Sequence, residues 1–566
     1  MKTSRNMDLL TFFFFVLIIK SCSIYATVPA DTGPVCFDEY GCFNKSEIHK
    51  DWPTKSQIGH YPESPEKQNI TFNIFSCRDR YNPTVLRYNV NENEMRNLNY
   101  DPRNRTLVVI HGYTDFYNQF NWMGNLKDHV LRRKSCDLNV ITVDWSRGSK
   151  TSPNYLQAAA NVRVVGAVVA SFIGRLNKVY QTTNDHFTIM GHSLGAQAAG
   201  FTGKRLRKPK ARLIIGLDPA GPAFSDVSEE NRLNPNDGQL VISVHTNGGV
   251  NVLDGLGILT PVGHYSFVPN GGENQPGCEP VHGIPGVLIN GLGEGLSDAI
   301  ACSHRRAYLL MAYDEQMFDD FETNAYRCNN YTDYEAGKCG TCLDGSDDCQ
   351  PFGQWYDYWQ KQKPSRKWTS PIVYYVDTRT EMPYSYFFYQ IKVKTGNNFN
   401  KYDGRLAMNI TGSLRNDFVE KINMEYNFKP NKEYTYLHKS FKSLGRIVKV
   451  DAQLQDKSEQ KSGIKKLIGN SIGKRKEQNI VIDEIQINYM NGYTESKRRQ
   501  LSTIMRNSNT IITTKETVTF HPSTNGNNNG NNNSQDASPQ RPTNESNGTK
   551  NKNPNNRSSE NITNRN

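Results

Sequence analysis

Short, continuously apolar runs alternate with longer mixed stretches through the first two thirds of the chain. Leu107–Ile110, Val140–Val143, Phe187–Met190, Leu213–Gly216 and Val241–Val244 each read as a strand without polar alternation. Between them lie helical stretches such as Ala158 to Tyr180. Strands that are apolar at successive positions bury both faces. The pattern over residues 27 to about 365 therefore predicts an α/β domain, with a mostly parallel sheet covered on both sides. Lys361 to Ser370 is polar and basic around Pro364 and reads as a hinge. Beyond it, Ile372–Val376, Tyr386–Val393 and Leu406–Ile410 are rich in aromatic and branched residues, as strands are. No clear helix intervenes before a basic stretch, so a β-sandwich is predicted over 371–520. From about His521 the chain turns Asn-, Ser-, Gly- and Pro-rich, and 521–566 cannot bury enough apolar surface to order itself. A length of 566 residues accommodates two ordinary domains plus these extras, and no internal repeat is visible.

The N-terminus changes the picture by setting the compartment. Lys2 and Arg5 precede an apolar run from Leu9 to Ile19, and Ala26 is a suitable cleavage point, which is the form of a secretory signal over 1–26. That run is short for a membrane span, and no later segment reads as long and apolar enough to be one. Of eleven cysteines, Cys22 lies in the signal and ten remain to pair. Spacing suggests local clips joining Cys36 to Cys42, Cys278 to Cys302, Cys328 to Cys339 and Cys342 to Cys349. Cys77 and Cys136 are left over, either as a fifth pair or with one thiol free. Asn44, Asn69, Asn104, Asn330 and Asn409 each begin an N-x-S/T sequon and are candidate glycan sites on surface loops, with further sequons at Asn544, Asn547 and Asn561 in the tail. The net charge of +11 is uneven: residues 431–500 hold fifteen Lys/Arg against eight Asp/Glu. This stretch is either a patch for an anionic polysaccharide or lipid surface, or a solvated loop region.

The chemistry centres on Gly191-His192-Ser193-Leu194-Gly195, between the run His186–Met190 and the small residues Ala196–Gly200. A strand, a sharp turn and a helix start would hold Ser193 in a strained conformation, with glycines where side chains would collide. Its hydroxyl would sit at a helix N-terminus, which favours developing negative charge. A serine nucleophile needs a base, normally a histidine oriented by a carboxylate. Asp218 directly follows the strand Leu213–Ile215, at the sheet edge that carries Ser193. Among the later histidines, His245, His264, His282, His304 and His438, the favoured base is His304, on a loop fixed by a disulfide at Cys302. His264 reads as structural. The oxyanion donors would be the N–H of Leu194 and that of Tyr113, after the strand ending Ile110-His111-Gly112.

At this point the chain resembles the secreted pancreatic-type lipase family of animals, which includes pancreatic, lipoprotein and hepatic lipases and phospholipases A1. The matching strings are H-G-Y-T-D at 111–115, V-D-W at 143–145, G-H-S-L-G-A at 191–196, G-L-D-P-A-G-P at 216–222, P-N-G-G at 269–272 and C-S-H at 302–304. The resemblance implies an α/β-hydrolase domain over 27–365 with Ser193, Asp218 and His304 as triad and Tyr113 and Leu194 as oxyanion hole. It also implies a structural Ca2+ site after the triad Asp, where Glu229, Asn234, Asp237 and the carbonyl of Arg232 offer oxygens. Family members usually carry a carboxylate where Asn234 stands, and the plain alternative is a solvated turn. In the family, the pair Cys278/Cys302 brackets a lid, and the enclosed Ile284–Ile289 and Leu292 are apolar. The second domain is similar to the family's PLAT β-sandwich, opening at Pro371.

The function so implied is a secreted serine esterase cleaving acyl esters of neutral lipid, foremost triacylglycerol, at an interface. Its partners would be lipid droplets, micelles or lipoprotein surfaces, with a protein activator or a glycosaminoglycan as further possibilities, and no nucleic acid. A phospholipase A1 or galactolipase is the enzymatic alternative. A non-catalytic, yolk-type lipid-binding protein is the alternative of another class, and such proteins typically lose the serine or histidine that this chain retains.

Overall fold

The computed structural model describes residues 33–45, 59–132, 135–150, 155–249, 255–278, 294–313, 322–353, 359, 371–414, 419–455, 478–514 and 516–523. The expected signal, the hinge at 361–370, the lid segment 279–293 with His282, and the tail beyond 523 lie outside them.

Eleven strands form one sheet. In chain order they are β1 (Thr71–Ser76), β2 (Thr84–Arg87), β3 (Arg105–Ile110), β4 (Leu138–Asp144), β5 (Phe187–His192), β6 (Leu213–Leu217), β7 (Leu240–Val244), β8 (Tyr265–Pro269), β9 (Asn324–Arg327), β10 (Cys349–Pro351) and β11 (Ile372–Val376). Across the sheet the order is β10-β9-β11-β8-β7-β6-β5-β3-β4-β1-β2. The run from β4 through β3, β5, β6, β7 and β8 to β11 is parallel, with antiparallel strands at both edges. Leu107, Val109 and Ile110 are fully buried and Val108 nearly so. Even and odd positions of β3 enter different apolar clusters, Val108 and Ile110 on one face, Leu107 and Val109 on the other. Burial on both faces is why these strands show no alternation.

The longer helices that flank or join the sheet among the described residues are α1 (Trp122–Leu131), α2 (Tyr155–Tyr180), α3 (Leu194–Arg205) and α4 (Glu294–Tyr313). α2 is long and apolar enough to cross a membrane by length and composition, contrary to the reading of the sequence. Most of it is buried against the sheet and α3, as a core helix, so its hydropathy reflects packing.

Beyond β11 come β12 (Phe387–Thr395), β13 (Tyr402–Gly412), β14 (Val419–Phe428), β15 (Glu433–Ser440), β16 (Ile447–Gln455), β17 (Asn479–Tyr489), α5 (Glu495–Leu501), β18 (Thr503–Thr513) and β19 (Val518–Phe520). They make two antiparallel four-stranded sheets, β15-β12-β17-β18 and β14-β13-β16-β19, around a shared apolar core. Two expectations need correction. Ile372–Val376 does not open the second region; it lies parallel to β8 within the large sheet. An apolar strand reads the same in either sheet, and only pairing decides. The described part of the basic stretch is not a loop: it builds β15, β16, β17 and α5.

The second region is tied to the first by Asn324 Nδ2 donating to the Gly492 carbonyl at 2.7 Å and by Lys439 Nζ against Asp377 Oδ2 at 2.5 Å. The four clips read from spacing are formed, and Cys77 is joined to Cys136. Of the sequon asparagines, Asn44, Asn330 and Asn409 are exposed and Asn69 and Asn104 half-buried. Asn409 faces outward from β13 rather than from a loop.

His264, at the entrance to β8, accepts the Val241 N–H on Nδ1 at 2.9 Å. Burial pushes its pKa down to about 4 from an ordinary 6.5. The unfolded chain therefore takes up a proton that the folded chain refuses as pH falls through 6.5 toward 4, and stability is lost across that window. His264→Asn keeps an acceptor at the same place but does not titrate. Its stability relative to wild type, measured by urea unfolding, should improve by up to about 3 kcal/mol across that range. A constant difference would show that His264 is not responsible.

Candidate active site

β5 ends at His192 and α3 begins at Leu194, so Ser193 occupies the single residue between strand and helix. Its φ of +57° is costly for a residue with a side chain and is imposed by crowding. A Cβ on Gly191 would lie 2.1 Å from the Gly195 carbonyl oxygen, and one on Gly195 would lie 2.2 Å from that of Ile110 on β3. The two glycines flanking Ser193 are therefore sterically required, and the turn cannot relax outward. Ser193 N–H donates to the Leu217 carbonyl at 3.0 Å, which locks the turn to the end of β6.

Asp218 follows at once, fully buried and with φ of +40°. Its Oδ1 accepts the N–H groups of Thr246 and Asn247 at 2.7 and 3.1 Å. Its Oδ2 accepts His304 Nδ1–H at 2.5 Å. A buried carboxylate must be compensated, and two backbone donors and one imidazole supply this here. Among the described residues no hydrogen bond joins Ser193 Oγ to His304. In ligand-free enzymes that contact is often loose and tightens only when substrate is bound.

His304 lies within α4, not on the expected loop. Ala307, Leu310 and Met311 are buried on the same side, so the helix is held by an apolar face. Arg306 donates to the carbonyls of Thr380 and Pro276 at 2.9 and 2.8 Å, and Ser303 Oγ accepts the Gln275 N–H at 3.0 Å. The Cys302–Cys278 bond adds a covalent tie. His192 contributes a contact that sequence reasoning missed. Its Nε2–H donates to the His304 carbonyl at 3.1 Å, with the two rings 4.6 Å apart. Burial, reinforced by the neighbouring His304, holds His192 well below the usual histidine pKa, so it stays neutral beside the base. Trp122 stacks on Tyr308 of α4 at 4.8 Å and meets the His192 ring edge-on at 6.0 Å, while its Nε1–H donates to Asp115 Oδ2 at 2.7 Å.

The N–H of Leu194, first in its helix, has no intrahelical partner by geometry. That of Tyr113 donates to no backbone carbonyl among the described residues. His111, whose role is also missed from sequence, fixes the loop after β3 that carries Tyr113. Its Nδ1–H donates to the Gly112 carbonyl at 3.0 Å, its Nε2 accepts the Trp145 N–H at 3.1 Å, and its ring stacks on Trp145 at 5.5 Å. The Gly112 carbonyl and the Tyr113 N–H belong to one peptide plane, so holding the first aims the second. The other described histidines that the sequence offers as candidate bases serve other contacts. His245 is buried between the Ile258 carbonyl and Ser243 Oγ, His264 sits at β8, and His438 is on β15.

A family model described as Lipase matches residues 33–384. The chain belongs to the lipase family. It is thereby a carboxylic ester hydrolase of α/β-hydrolase architecture. Among its relatives, pancreatic triacylglycerol lipase of Oryctolagus cuniculus is 31% identical over 383 residues, covering 68% of this chain and 78% of the relative. The Mus musculus protein of that name is 33% identical, covering 67% and 78%. The inactive pancreatic lipase-related protein 1 of Mus musculus is 34% identical over 345 residues, covering 60% and 70%. Among solved structures, esterase PE8 aligns with a TM-score of 0.19 at 18% identity over 26% of this chain and 72% of that one, too slight a likeness to argue from.

The lipase-family segment expected to hold calcium is folded against α3. Asp237 and Asn234 are buried there, while the Glu229 carboxylate is exposed. Among the described residues no group of three or more His, Cys, Asp and Glu side chains is placed to hold a metal.

His111→Phe keeps the ring on Trp145 but removes the hydrogen bonds to the Gly112 carbonyl and from the Trp145 N–H. We expect kcat on a soluble ester to fall about 10- to 100-fold with little change in KM, as when a transition-state donor is mispositioned. A rise in KM at unchanged kcat would mean that the loop binds substrate instead of the oxyanion.

Proposed function

We propose that this protein is a secreted serine lipase that hydrolyses triacylglycerol at a lipid–water interface. Ser193 Oγ attacks the ester carbonyl while His304 Nε2, opposite the nitrogen held by Asp218, takes its proton. The oxyanion is received by the N–H groups of Leu194 and Tyr113. Collapse of the intermediate breaks the acyl C–O bond, and His304 returns the proton to the departing glyceride alcohol. Water, deprotonated by His304, then attacks the acyl-enzyme and releases the fatty acid.

The observation that carries this reading is the 2.5 Å bond between His304 and Asp218, whose other oxygen is held by two backbone donors, beside a serine in a strained turn. The triacylglycerol substrate is favoured by the names of the relatives. Five disulfides support an oxidising, extracellular destination. The two-sheet region after Phe387 is read as a PLAT-like module that seats the enzyme on lipid droplets, micelles or lipoprotein surfaces. Its exposed Leu414 and Phe441, each 62% accessible, support an apolar contact. A protein activator and a glycosaminoglycan partner stay within this proposal as roles for the same module.

One specific observation favours a second reading: a relative of equal similarity is named inactive. Fatty-acid release from emulsified triolein separates the two. Wild type should release acid, and Ser193→Ala should lower the rate at least about 10³-fold. Turnover confined to phosphatidylcholine vesicles would make the enzyme a phospholipase, and turnover of neither lipid would favour the inactive relative.

A further inference from the structure

The loop expected to hold calcium already contains a cation. Lys204, near the end of α3, donates from Nζ to Asp237 Oδ1 at 2.6 Å and to the Arg232 carbonyl at 2.9 Å. These are two of the oxygens that the calcium reading requires. Asn234 is turned the wrong way for a metal. Its Oδ1 accepts the Asn236 N–H at 2.8 Å, so its Nδ2 faces inward and donates to the Glu229 carbonyl at 2.7 Å and to Asp237 Oδ1 at 3.2 Å. The other Asp237 oxygen accepts the Asn234 N–H at 3.0 Å. Protein donors thus engage the Arg232 carbonyl, the Asn234 amide oxygen and both Asp237 oxygens, and of the expected ligands the Glu229 carboxylate is exposed.

The charges agree with the geometry. Lys204 and Arg232 face Asp237 and Glu229, and Lys210 acts on Asp237 as well, three positive groups against two negative. With an amide at 234 there is no third carboxylate to offset a divalent ion. A hard cation seeks several oxygens at once, and here the remaining inward-facing group is an N–H donor.

We propose that the Lys204 ammonium stands in for calcium at this site and clamps the 229–237 loop to α3 without a metal. The clamp acts on the helix that begins beside Ser193. The same loop is also pinned by Gln197 of α3, whose Oε1 accepts the Leu233 N–H at 2.8 Å and whose Nε2 donates to the Ala220 carbonyl at 2.9 Å. The consequence is a lipase whose folded loop does not depend on calcium.

The test is thermal unfolding of the full-length protein in millimolar CaCl2 and in EDTA, with terbium luminescence as a direct binding probe. Wild type should unfold at the same temperature in both buffers and should not sensitise terbium. Lys204→Met should unfold several degrees lower, and Lys204→Arg, which retains the charge, should recover most of the loss. A wild-type unfolding temperature that falls in EDTA, or terbium emission that Asp237→Asn removes, would overturn the proposal. So would a Lys204→Met protein as stable as wild type. If Lys204→Met does not fold, the wild-type measurements and Lys204→Arg decide the question alone.

Discussion

The site depends on a backbone that has no room to relax. Between β5 and α3 the chain reverses within one residue, so tightly that a side chain on Gly191 would strike the Gly195 carbonyl and one on Gly195 would strike the end of β3. Ser193 holds φ of +57° because its neighbours leave no alternative. A conformation that costs on the order of 1–3 kcal/mol persists only where surrounding packing over-determines it. That packing comes from the parallel sheet, whose central strands are buried on both faces. The energy of the apolar core is thus what presents one hydroxyl at a helix N-terminus.

The rest of the site is arranged by shared ends. β5 and β6 deliver Ser193 and Asp218 side by side because parallel strands terminate together at one edge. His304 comes from a helix far along the chain and needs separate anchoring. Its anchors are the Asp218 carboxylate, the His192 contact to its carbonyl, the Arg306 bonds on the far side and the disulfide at Cys302. Two imidazoles lie 4.6 Å apart, yet they do not compete for a proton, since burial keeps His192 neutral. Opposite, His111 sets the peptide plane between Gly112 and Tyr113. The three histidines therefore have different tasks: His304 bonds Asp218, His192 holds the His304 carbonyl and His111 sets the loop of Tyr113.

Much of this could be read from the chain before its fold was known. The elbow was legible because glycine spacing around a serine reports backbone strain directly. Asp218 was legible because it follows a continuous apolar strand. Positioning residues were not, since nothing local separates His192 or His111 from an ordinary core histidine; their roles arise from pairing with residues 112 and 34 positions away. The placement of Ile372–Val376 failed for a related reason, because apolar periodicity identifies a strand but not its sheet. His304 bonds Asp218, yet the sequence context of Cys302 suggests a loop where the chain is helical, although Ala307, Leu310 and Met311 carry helical spacing. At the loop expected to hold calcium the sequence displays the oxygens, while the lysine that engages two of them comes from α3, some thirty residues earlier.

The most direct measurement is the rate and position of covalent labelling by an organophosphate ester, followed by intact mass and peptide mapping. One adduct per molecule should form, on Ser193, and His304→Ala and Asp218→Asn should slow it by orders of magnitude while the proteins remain folded. A folded wild type that takes up no label, or labels at the same rate without His304, would contradict the account.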